Sequence, residues 1–139
     1  MGKWSLLFDE LMKKHDYIAP NPPATQAQID EIETALRNKP PDDLTELLLE
    51  MNGDNWFVFS AGQIIQINLS MRVIDVFMPL DSLLFFAGNG CGDYFGFPIA
   101  SNGEIKTDCV FLWDHESDSR ILKAGGLEEI IVKYYGGET

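Results

Sequence analysis

The order of apolar patterns along this chain predicts an α+β fold with a largely antiparallel sheet. Apolar residues recur at helical spacing through residues 3–51 and at the alternating spacing of strands between 56 and 123. Helical spacing then returns over 127–135. Helices first, strands next and one closing helix suit a sheet with helices segregated to its side. Strand and helix alternate too poorly for a doubly wound parallel sheet.

Over residues 3–14, Trp4, Leu7, Phe8 and Leu11 share one helical face, and Asp9, Glu10, Lys13 and Lys14 lie off it. Pro20, Pro22 and Pro23 make 17–23 a connector, because proline lacks an N–H and restricts the residue before it. Thr25, with Gln28 three residues on, forms a capping box that opens a second helix. Its buried stripe is Ile29, Ile32 and Leu36, and it ends near Asn38. Pro40 and Pro41 break the chain and start a third helix, where Asp42 and Asp43 complement the positive end of the dipole. Leu44, Leu47, Leu48 and Met51 form its apolar face, and Asn52-Gly53 ends it.

Beyond Gly53 the period shortens. Residues 56–60 and 64–68 read as short strands around Ala61-Gly62. Met71 to Met78 fits either a helical turn or an extended segment. Pro79-Leu80-Asp81 opens a new element, followed by a strand over 83–87 and a glycine-rich turn over 88–92. Residues 93–99 form a strand whose end Pro98 confines to an edge or a bulge. Ser101-Asn102-Gly103 is a hairpin turn. In the strand over 109–114, Phe111 and Trp113 face one way and Val110 and Leu112 the other, so both faces of the sheet are covered. A turn at 116–119 leads to a last strand, Arg120 to Lys123. Leu127, Ile130, Ile131 and Tyr134 then share a helical face.

A chain of 139 residues fits one domain with its own core. No apolar run approaches the roughly 20 residues that cross a bilayer, and the start of the chain has no signal-peptide core. Gly2 is read as no lipid anchor, since no second membrane signal accompanies it. Cys91 and Cys109 read as free, buried thiols of a reducing, cytoplasmic compartment; a disulfide between them is the alternative, which nothing in the spacing requires. The net charge of −12, from 22 acidic and 10 basic residues, argues against nucleic acid and anionic membranes. Solubility accounts for such acidity by itself, and a basic partner is the sharper reading.

Two segments carry polar residues that packing does not need: Gly92-Asp93-Tyr94-Phe95-Gly96-Phe97 and Val110-Phe111-Leu112-Trp113-Asp114-His115-Glu116. Before them stand Pro23-Ala24-Thr25, Ile29, Glu33, Pro41-Asp42-Asp43-Leu44, Asn52-Gly53 and the block from Pro79 to Phe86; Asp118-Ser119-Arg120 stands behind. This ordered set, over residues 20–135, resembles the SUKH superfamily of Smi/Knr-type fungal cell-wall regulators and bacterial toxin-immunity proteins. The loop holding Cys91 is longer than is usual there. The resemblance implies a single α+β domain over residues 1–139, with a sheet of about six strands flanked by helices. It also implies a bacterial immunity protein that neutralises a toxin, often a nuclease, by protein–protein contact. The alternative is a regulatory or scaffold module unconnected with toxins. Gly92, Asp93, Phe95, Trp113 and His115 are the signature positions, and the family brings no catalytic residues with it.

The residues themselves leave an enzyme using Asp93 and His115 as the third reading. A general base needs a shifted pKa and a placed substrate. Zinc needs His and Cys at short spacings, and His15 and His115 are far apart. The expectation is therefore no catalytic residue, no cofactor and no metal. Asp93 is expected to hold the glycine-rich turn, His115 to be satisfied at a strand end, and Trp113 to pack in the core. Asp114, Glu116 and Asp118, at a strand end and turn, are expected to be exposed and to contact the partner, with Arg120 paired to one of them. The turn 88–92 leads into a strand rather than a helix N-terminus, so it is not a phosphate loop.

Overall fold

The computed structural model describes residues 2–74 and 76–138; Met1, Asp75 and Thr139 lie outside the described residues. Four helices lead: α1 (Lys3–Lys14), α2 (Gln26–Leu36), α3 (Asp42–Glu50) and α4 (Ala61–Arg72). A short 3-10 turn at Leu80–Ser82 precedes β1 (Leu83–Gly88), β2 (Tyr94–Pro98), β3 (Val110–Asp114) and β4 (Ser119–Ala124), and α5 (Leu127–Tyr135) closes the chain. The strands form one antiparallel meander in the order β1-β2-β3-β4. The α+β class holds.

Local signals account for most of the helices. The Thr25 and Gln28 capping box opens α2. No side chain at its own N-cap serves α1, and α3 supplies one instead. The carboxylate of Glu50 accepts the backbone N–H of Ser5 at 2.8 Å and its hydroxyl at 2.9 Å. Burial disfavours charge on Glu50, yet these donors hold its carboxyl below the ordinary range.

The sheet has four strands among the described residues, not about six. Residues 64–68, expected as a strand, lie within α4, which Ser60 and Gln63 cap with a second capping box. Strand propensity in Ile64, Ile65 and Ile67 gives way to packing. Ile64 is buried, and so is Asn68 one turn on. The Asn68 amide donates to the Phe85 carbonyl at 2.8 Å and accepts the Phe85 N–H at 2.9 Å, closing the outer edge of β1. Residues 56–60, also expected as a strand, touch β1 through a single bridge, Val58 to Ala87. The buried Asp54 prevents a longer ladder. Its Oδ1 accepts the N–H groups of Trp56, Phe57 and Val58 at 3.0, 2.7 and 2.8 Å, turning those donors inward. The hydroxyl of Tyr135 in α5 donates to its other oxygen.

Both faces of the sheet are covered. Leu84, Phe86, Phe95, Phe97 and Val110 join the main core with residues from α1 to α5. On the opposite face Leu80, Leu83, Phe85 and Trp113 form a smaller cluster, against which Phe77, Tyr94 and Phe111 pack. The alternation in β3 is therefore as expected, and Trp113 is 1% exposed. No helix among the described residues is long and apolar enough to cross a membrane.

Candidate functional site

Antiparallel pairing brings the β1–β2 loop and the β3–β4 turn to one end of the sheet. Gly88 lies opposite Tyr94, Tyr94 opposite Trp113, and Asp114 opposite Ser119. Asp93, just before β2, thus meets His115, just after β3. The Asp93 Oδ1 accepts the His115 backbone N–H at 3.1 Å and lies 2.7 Å from Nδ1 of the ring. Its Oδ2 accepts the side-chain amide of Asn89 at 3.1 Å, and Asn89 in turn accepts the N–H of Cys91 at 2.9 Å. Asp93 therefore ties the glycine-rich loop to the acidic turn. Burial opposes its charge, but the His115 and Asn89 donors outweigh this and hold the carboxyl below its usual range. The same Asp93 bond raises His115 above the ordinary histidine value. Gly92 sits at φ +96, where a side chain is strained, and a Cβ there would stand 3.1 Å from the His115 imidazole and push it aside. Phe95 is buried in the main core.

The four residues expected to meet a partner divide into two pairs. The Glu116 side chain is 82% exposed, with its carboxylate 4.0 Å from Nε2 of His115. Asp114 beside it is half-buried and accepts the N–H of Glu116 at 2.9 Å. Asp118 and Arg120 are engaged inside the protein, and each side chain is only 20% exposed. Asp118, expected in solvent, stands at φ +55 and accepts the Trp113 indole N–H at 2.6 Å and the Met78 N–H at 2.8 Å. Arg120 lies 3.5 Å from Asp118, and donates to the carbonyls of Met78 at 2.9 Å and Pro79 at 3.2 Å and to the Ser82 hydroxyl at 3.0 Å. These bonds pin residues 78–82 over the Trp113 cluster. Burial opposes charge on Asp118, and the indole, the Met78 amide and Arg120 overcome it, depressing its carboxyl.

Among the described residues, one group brings together three side chains of metal-ligating type, Asp93, Asp114 and His115, with ligand atoms within 4.8 Å of one another. Two of the three bond each other, Nδ1 of His115 lying 2.7 Å from Asp93, and this pair clasps the glycine-rich loop to the β3–β4 turn. The two cysteines are free thiols but not buried as expected: Cys91 is exposed on the loop and Cys109 is half-buried.

Sequence reasoning passed over one neighbour of this site. Trp56 is 53% exposed and packs on Tyr17, with ring centroids 4.5 Å apart. An indole inside a segment read as a strand gave no sign of standing outside it. The only usable signal was the Ser60-x-x-Gln63 box, which marks a helix start immediately behind.

A family model, SUKH_6, described as SMI1-KNR4 cell-wall, matches residues 26–131, most of the chain. No curated protein matches it.

Proposed function

Because the chain belongs to the SUKH_6 (SMI1-KNR4) family, we propose that it is a bacterial immunity protein that binds and blocks a cognate toxin domain. It works by contact and turns over no substrate; the toxin, possessing a basic surface, is of the nuclease type, and the complex forms in the cytoplasm. One observation carries the reading beyond the family: the acidic turn Asp114 to Glu116 projects from the sheet end of a chain at −12. Acidic charge placed on a protruding turn steers a basic partner and sets its orientation. Asp118 and Arg120 support that turn from behind through their bonds to Trp113 and residues 78–82. The cell-wall wording of the family description favours a second reading, a regulatory module in a cell-wall assembly.

The test is co-expression with the product of the adjacent gene. Under the immunity reading that product is toxic alone, harmless beside this chain, and co-elutes with it from a sizing column. An adjacent product that is harmless alone, or a toxic one that is neither bound nor neutralised, rules the reading out.

A further inference from the structure

Beside the acidic turn lies a hollow of about 310 Å³, between the turn that carries Trp56 and the glycine-rich loop. Trp56, Phe59 and Tyr94 supply aromatic surface, while Gly90 and Gly92 present bare backbone opposite them. No charged side chain lines it among the described residues. The anchor is held in place before any ligand arrives. Asn55, at φ +61, donates to the Ala19 carbonyl and to Asn21, and Asp54 gathers the next three N–H groups. Tyr17 backs the indole. The chain carries a net charge of −12, and the titratable side chains next to the hollow are Asp93, which joins Gly92 to Tyr94, and His115, which is bonded to Asp93 and stands against Gly92.

We infer that this hollow receives an arginine side chain from a basic partner protein, its guanidinium on the face of Trp56 and its charge complementing the net charge of −12. A planar, weakly hydrated cation suits an aromatic wall. A lysine ammonium is more strongly hydrated and stacks less well. An exposed, preorganised tryptophan is also the residue type that dominates protein interfaces. The inference rests on the protein-binding reading above, and names where the partner anchors.

Its test needs no toxin. The ¹⁵N-labelled full chain is titrated at low salt with a blocked Gly-Arg-Gly peptide, and separately with the citrulline version, which keeps the shape and loses the charge. Of the tryptophans, Trp4 and Trp113 are each 1% exposed, so the Trp56 indole resonance stands apart. It should shift saturably, together with the Gly90 and Gly92 amides. Binding should be about two- to fivefold tighter for the arginine peptide, as an exposed cation–π contact supplies. Trp56→Phe should retain the shifts at Gly90 and Gly92, and Trp56→Leu should lose them. Trp56 is half in solvent, so neither change threatens the fold. A stationary Trp56 resonance, equal binding of both peptides, or shifts confined to Asp114 and Glu116 would each overturn the inference. None of these outcomes bears on whether the chain blocks a toxin, which the co-expression experiment decides separately.

Discussion

Trp113 and the two carboxylates around it show how single residues hold the sheet end together. The indole ring fills the smaller cluster, 4.9 Å between centroids from Phe77 and 6.0 Å from Phe85, and Asp118 takes its N–H. Trp113→Ala should therefore destabilise by about 3–5 kcal/mol, the range for a large aromatic lost from a core; an unchanged denaturation midpoint would contradict this packing. The Asp93 and His115 pair sets a pH dependence. His115 is raised in the folded protein, so its contribution is complete below its unfolded value of about 6.5 and is lost as pH rises through the folded one. Asp93 is lowered, so its contribution is present above about 3.9 and is lost as pH falls through its folded value. The clasp is strongest between those limits. Asp93→Asn should move the His115 midpoint down toward the ordinary value in an NMR titration of the ring, and a midpoint that stays put would show that the carboxylate is not its cause. At this scale the sequence was informative about Trp113 and Asp93, because apolar alternation buries one and a glycine-rich turn needs the other. It said nothing of Asp118 meeting Met78, since those residues are brought together only by the folded chain.

Among the elements, α4 is the one whose type differs from the strand expected over 64–68. Its N-terminus is capped by Ser60, and its body is fastened to β1 by Asn68. The two devices differ in weight. Ser60→Ala removes an exposed cap and should cost about 1 kcal/mol. Asn68→Ala leaves the N–H and C=O of Phe85 unpaired inside the protein and should cost at least about 2 kcal/mol, since each orphaned buried group carries its own desolvation penalty. Chemical denaturation of the two variants ranks them, and a milder effect for Asn68→Ala would mean that water or another group satisfies the β1 edge. The isoleucine-rich run in 64–67 favours a strand by propensity. The Ser60 and Gln63 capping box marks a helix start locally, and the bonds of Asn68 to the Phe85 backbone, which no local window contains, fasten that helix to β1.

For the whole molecule, the matter is how the charge of −12 is distributed and used. A basic partner should associate quickly at low salt and more slowly as salt rises, because screening shortens to about 8 Å at physiological ionic strength. Dissociation should change less, since buried contacts govern it. Neutralising Asp114 and Glu116 together should slow association with such a partner more than neutralising Asp30 and Glu31 on α2, because a turn at a sheet end reaches into a partner's cleft while a helix face is only solvated. Stopped-flow rates across a salt series compare the two variants. Loss of affinity in the helix variant alone would move the interface to α2, and indifference to salt would leave the acidity to solubility.

By itself the sequence determined the α+β class, α1, α2, α3 and α5, the four strands of the meander and the two-sided burial of β3. All of these rest on signals within one or two turns of the chain: apolar period, capping residues, and proline or glycine stops. Only the tertiary structure decided how α4 is fastened to β1, that Asp118 and Arg120 are engaged with Trp113 and residues 78–82, and that Trp56 stands beside the glycine-rich loop. The reason is range. A carboxylate looks the same in sequence whether it meets water or an indole, and its surroundings come from segments that approach only when the core forms.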